Sequence, residues 1–166
     1  MRKLVLLVGL MFSVTIINAQ NPLQKGEKQL NAGLGFSNWG LPVYVGLDFG
    51  VHPDISVGGE FCFHTFSDRI GNTSYRHSVF GFAVNGNYHF NRLLNIPSKW
   101  DFYAGLNIGF NFWSSPDAYP GNYGSGLGLG LQIGGRYFFN DRFGLNLELG
   151  GGNAASGGKF GITYQF

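Results

Sequence analysis

Charge is scarce in this chain. Asp, Glu, Lys and Arg make up 12% of its 166 residues, about half of the roughly 25% found in soluble domains. A water-facing surface cannot be covered with so little. Cysteine is nearly absent as well, and Cys62 alone excludes an intramolecular disulfide or a multi-cysteine metal site. Sparse Glu, Lys and Ala beside 28 Gly argue against a coiled coil or a helical bundle. In their place stand 17 Phe, 8 Tyr and 3 Trp, which exclude disorder. The composition is that of a β protein in a largely apolar solvent.

The N-terminus reads as a secretory signal. Arg2 and Lys3 precede an almost wholly apolar stretch over residues 4–17, and Ala19 supplies a small residue before Gln20. Fourteen apolar residues fall short of the roughly 20 that a spanning helix needs. Cleavage of residues 1–19 removes two cations and leaves nine basic against nine acidic residues. A neutral mature chain has no field to attract nucleic acid, and that class of partner is excluded.

Residues 20–28 are polar and expected to form a short flexible lead; residues 29–166 are expected to form one barrel. From Leu30 onward apolar residues recur at every second position, the period of a strand. Eight such segments follow one another. Val43, Val45, Leu47, Phe49 and Val51 alternate with Tyr44, Gly46, Asp48 and Gly50 in the second; Leu127, Leu129, Leu131 and Ile133 alternate with Gly128, Gly130 and Gln132 in the sixth. No 3.6-residue period competes. Three-residue turns are expected at 52–54 and 140–142, a longer link at 91–99, and outer loops at 67–77, 114–125 and 151–158, with a short one at 37–42. Short turns on one rim and longer loops on the other suit a transmembrane barrel. The non-apolar face carries Gly, Asn and Ser with few charges, too little polarity for water but suited to a narrow lumen. The Phe and Leu face is then the lipid face, and closure follows because an open sheet edge in hydrocarbon leaves its backbone unpaired.

With its alternating strands, its Phe102-Tyr103-Ala104-Gly105-Leu106 segment and its terminal Phe160-x-Ile162-x-Tyr164-x-Phe166, the chain resembles the small eight-stranded outer-membrane barrels of Gram-negative bacteria, the OmpA/OmpX-like, porin-family group. The resemblance implies an all-β, eight-stranded, antiparallel up-and-down transmembrane β-barrel in the cell outer membrane. It also implies that Phe160, Ile162, Tyr164 and Phe166 form the signal read by the barrel-assembly machinery, with Phe166 also closing the lipid-facing row.

Four charged residues fall on the lumen face: Asp48, Glu60, Arg136 and Glu148. Across the turn after the sixth strand, Arg136 is expected to face Asn146 and reach diagonally to Glu148, as Asp48 stands diagonal to Glu60. His64 and His89 point inward too. A polar gate and a salt-bridged plug are both open readings; the plug is favoured because eight strands leave room only for side chains. Three acids against one base leave His89 or a protonated carboxyl to complete the network. Cys62, His64 and His89 lack recognisable ligand spacing, so neither a metal nor another cofactor is expected. His77-Ser78 near the outer rim has no acid at a recognisable spacing, and the glycine runs complete no phosphate loop. The expected function is non-enzymatic: a monomeric structural or surface-interaction protein, with outer-membrane lipid around it and an extracellular ligand or surface partner at its loops. A narrow pore for ions or small solutes is the alternative, and a lipid-modifying outer-membrane enzyme comes third.

Overall fold

A computed structural model describes residues 23–37, 40–152 and 157–166. The expected signal peptide, and residues 153–156 of the last outer loop, lie outside these. Eight strands follow in chain order: β1 (Lys28–Phe36), β2 (Val43–His52), β3 (Ile55–Ile70), β4 (Thr73–His89), β5 (Trp100–Ser114), β6 (Gly126–Phe138), β7 (Phe143–Gly152) and β8 (Gly157–Gln165). Each pairs antiparallel with the next, and β1 closes on β8 with Asn31 opposite Thr163. Closure leaves no sheet edge, so the backbone is satisfied without water.

The two faces separate as the alternation predicts. Leu106, Leu129 and Leu131 stand 64–68% exposed on the outside, while Ser56, Asp101 and Thr163 are fully buried inside. A soluble protein would present the reverse. This exterior is solvated by hydrocarbon, and the molecule is a transmembrane barrel. The terminal row follows the rule: Phe160, Ile162, Tyr164 and Phe166 all face outward, and Phe166 bonds through its backbone to Lys28.

One rim carries the tight connections. A two-residue turn, Pro53-Asp54, joins β2 to β3, one residue tighter than the sequence suggested, because a register shift between Gly50 and His52 absorbs the third. A single helical turn, α1 (Asn91–Leu94), lies between β4 and β5. Between β6 and β7, Asn140 Oδ1 accepts from the backbone of Arg142 and Phe143, which fixes that turn. The polar lead is tied to the same rim. Gly26 N donates to Gly50 O at 2.8 Å, Gly50 N donates to Glu27 O at 3.0 Å, and Leu23 is buried. Gly50 has to be glycine here, since a Cβ would fall 2.0 Å from Gln24 O.

The opposite rim differs from expectation. Residues 67–77 form no loop: β3 and β4 stay paired to Ile70 and Thr73, and Gly71, at φ 61°, takes the left-handed first position of a two-residue turn. β2 leaves the sheet at Val43 opposite Phe63, and β5 at Ser114 opposite Ser78. The end of the β3–β4 hairpin is therefore a two-stranded ribbon rising past its neighbours.

Candidate functional site

The lumen holds the chemistry, arranged in levels. Arg136 on β6 lies opposite Asp101 on β5, and its guanidinium donates to Asp101 Oδ2 and to Asp48 Oδ2 on β2, both at 2.9 Å. With its amide oxygen turned toward the guanidinium, Gln29 accepts from Arg136 Nε at 2.9 Å. Asp101 also meets His89 Nδ1 at 2.7 Å, and His89 Nε2 meets Ser56 Oγ at 2.9 Å. Asn31 and Asn85 donate to the two oxygens of Asp48. One cation is held between two carboxylates, as burial of charge demands.

Ser56, His89 and Asp101 stand in the order of a nucleophile, base and acid. Geometry alone does not make them one. All three are at most 2% exposed, and Asp101 is shared with Arg136. No substrate carbonyl reaches Ser56 in this arrangement, so the chain acts as a hydrogen-bonded strut between β3, β4 and β5.

A second cation sits farther from the short-turn rim. Lys159 on β8 lies opposite Glu148 on β7, with its Nζ 2.6 Å from Glu148 Oε1 and 2.7 Å from Glu60 Oε2 on β3. Tyr103 links the two levels. Its hydroxyl donates to Glu148 Oε2 at 2.7 Å, and Arg136 lies over its ring at 4.2 Å from the centroid. The ring rests on Gly134 directly across the ladder, where a Cβ would come within 2.2 Å of it. A ladder of amides fills the space beside them, Asn107 donating to Gln132 and Gln132 to Asn87.

At the outer mouth the lumen turns aromatic. Phe66 on β3 stacks on His77 of β4 at 4.9 Å, and Trp113 of β5 stacks on Tyr123 at 4.8 Å. Tyr119 stacks on Tyr123 in turn. The loop 115–125 is pinned by side chains: Ser115 Oγ meets His77 Nδ1 at 2.9 Å, and Tyr119 and Tyr123 donate to Asp68 Oδ2 at 2.9 and 3.5 Å. The Tyr119 hydroxyl holds its proton above the ordinary tyrosine range, chiefly through its hydrogen bond with Tyr123, with Asp68 adding to it. His77 is fully buried beneath these rings.

Several expectations are corrected by this geometry. Arg136 does face Asn146, yet its charge goes to Asp101 and Asp48; Glu148 takes Lys159 and Tyr103 instead. Asp48 and Glu60 are diagonal as expected, but each serves a different cation. Arg136 is not the lone base of the lumen. Asp101 and Lys159 carry no signal in the alternation, because its clear run starts at Phe102 and Phe160 while the fifth and eighth strands begin at Trp100 and Gly157. His89 does complete the lower network, whereas neither ring nitrogen of the buried His64 has a partner. His77 and Ser78 point to opposite faces and cannot act together; the serine that meets His77 is Ser115. Among the described residues no group of three or more His, Cys, Asp or Glu is placed to hold a metal ion.

Neither a family model nor a curated protein matches the chain. Solved structures do. OprG of Pseudomonas aeruginosa superposes with a TM-score of 0.68 at 9% identity, over 90% of this chain and 99% of that one. The N-terminal β-barrel domain of OprF from the same organism gives 0.64 at 11%, over 86% and 98%. Neisserial surface protein A gives 0.55 at 11%, over 84% and 93%. At these identities the likeness is one of fold. It is the fold of small outer-membrane barrels, as the residues suggested, and it agrees with the apolar exterior.

Proposed function

We propose that the protein is a non-enzymatic outer-membrane barrel with a structural or surface-interaction role, whose lumen is plugged rather than conducting. The observation that carries this reading is the pair of crossed ion clusters, Arg136 with Asp48 and Asp101, and Lys159 with Glu60 and Glu148. Each includes one contact across the interior between strands that are not neighbours, Arg136 on β6 with Asp48 on β2 and Lys159 on β8 with Glu60 on β3. The amide ladder beside these levels and the aromatic loop above them oppose a water path. Interaction then belongs to the outer rim, where the β3–β4 ribbon and the loop 115–125 stand furthest from the short-turn rim. The outward row ending at Phe166 suits the assembly machinery, and the reading is of a monomer in lipid.

Planar-bilayer recording tests it. The expected outcome is conductance near zero for the wild type and a measurable rise for Arg136→Ala. A large, steady wild-type conductance that Arg136→Ala leaves unchanged would make the protein a pore.

A further inference from the structure

The outward face of the β3–β4 ribbon differs from the apolar wall it rises from. Below it the face is apolar, with Phe61 opposite Phe82 and Phe63 opposite Phe80. Above Phe63 and Phe80 it changes abruptly: Thr65 pairs with Ser78, Ser67 with Arg76, and Arg69 with Ser74. Four hydroxyls thus surround two guanidiniums. Arg69 and Arg76 are diagonal across the ladder, about 7–8 Å apart at Cα. Both are exposed, and neither guanidinium makes a hydrogen bond or ion pair with the side chain of a described residue. The adjacent carboxylate, Asp68, points to the other face and is taken by Tyr119. At the opposite rim the exposed Arg92 does have an acid, Asp54, at 3.4 Å.

Two like charges held side by side without an acid repel one another unless an anion lies between them. Height identifies the anion. Arg76 is four residues above Phe80, a rise of about 13 Å along the strand and about 10 Å along the membrane normal at the usual strand tilt. That carries the guanidiniums from the last lipid-facing rings to the level of headgroup phosphates. Guanidinium binds phosphate bidentately, and flanking Ser and Thr hydroxyls donate to its remaining oxygens. We propose that Arg69 and Arg76, framed by Thr65, Ser67, Ser74 and Ser78, form a docking patch for the phosphate groups of an outer-leaflet lipid. The patch is independent of whether the lumen conducts.

The test uses the full barrel in vesicles of zwitterionic phospholipid doped either with a phosphorylated glycolipid (lipid A) or with its dephosphorylated form. Lipid retained on the purified barrel is counted by mass spectrometry. The wild type is expected to retain the phosphorylated form preferentially, and Arg69→Gln/Arg76→Gln to lose about ten- to thirtyfold in that preference. Arg92→Gln, on the other rim, keeps it, and Arg69→Lys/Arg76→Lys keeps part. Heat-shifted migration on gels establishes that each variant is folded. Equal retention by the Gln variant, or no distinction between the two lipids, overturns the proposal. Displacement by millimolar inorganic phosphate overturns it as well, since the patch would then take a free anion rather than a lipid.

Discussion

The two halves of the lumen are closed by different chemistry on the same inward-facing row. In the half near the short-turn rim, closure is ionic: Arg136 and the carboxylates of Asp48 and Asp101 are at most 4% exposed and every charge has an opposite partner. In the outer half it is aromatic, with Phe66, Trp113, Tyr119 and Tyr123 stacked around His77 and held by Asp68 and Ser115. The difference teaches where rigidity is needed. A buried charge without its partner is expensive, so the ionic half is fixed in one arrangement. Stacked rings on a loop can part at small cost, because each contact is worth only about 1 kcal/mol. The ionic half should determine the stability of the barrel, and the aromatic half access to its mouth.

The largest effect expected is that of Arg136→Ala. It leaves Asp48 buried with only amide partners and Asp101 with only His89, and losing one partner of a buried ion pair costs about 3–5 kcal/mol. Urea unfolding in detergent or lipid, followed by the gel shift of unheated samples, should show the midpoint fall accordingly. Arg136→Lys should recover part of the loss only, since one ammonium lacks the fork that reaches two carboxylates. A midpoint unmoved by Arg136→Ala would remove the contrast between the halves at its stronger end.

Lys159→Met is expected to cost less, about 1–3 kcal/mol. The side chains of Lys159 and Glu60 are 15% and 19% exposed, against 2% or less for Arg136 and Asp101, so the stranded carboxylates keep some contact with water. Adding Glu148→Gln to Lys159→Met should restore stability relative to the single variant, because it removes one of the two facing acids. A double-mutant cycle over these positions reads the coupling directly. A loss as large as that of Arg136→Ala would place Lys159 in the rigid half too.

The ionic half was the more legible in sequence. A charge at an inward position of an otherwise Gly and Asn row stands out, and Asp48, Glu60, His89, Arg136 and Glu148 were all marked by it. Register was the limit. The diagonal from Arg136 to Glu148 was geometrically sound, but Asp101 lies directly opposite, one residue before the apparent start of its strand. The aromatic half was hidden for a different reason. Above the lipid the outward face turns polar at Thr65, Ser67 and Arg69, while the inward face turns apolar at Phe66 and Tyr75. The alternation continues with its sign reversed, and a pattern that equates apolar with outward reads this stretch as a loop. The polar lead was opaque too, since its bonds to Gly50 are made by backbone and carry no side-chain signature.

The smallest effect belongs to the outer half, and it is the most discriminating. Asp68 is the acceptor for both Tyr119 and Tyr123, and it lies on the free ribbon rather than in the eight-stranded wall. Asp68→Ala removes two hydrogen bonds at a solvated rim, so the global unfolding midpoint should move by about 1 kcal/mol or less. The loop 115–125 should nevertheless open more often. Chymotrypsin cleavage after Tyr123 reports that opening, because a folded, stacked loop is a poor substrate and its cleavage rate follows the population of the open form; the Tyr119–Pro120 bond resists the protease in any state. Cleavage should quicken in Asp68→Ala, quicken less in Asp68→Asn, which retains a carbonyl acceptor, and stay at the wild-type rate in Lys159→Met. The two readouts then move independently: charge deletion within the wall lowers the midpoint, and loss of the latch raises only the cleavage rate. If Asp68→Ala instead lowered the midpoint as far as Arg136→Ala, the ribbon and loop would be part of the cooperative barrel. The outer mouth would then be a wall, and not a lid.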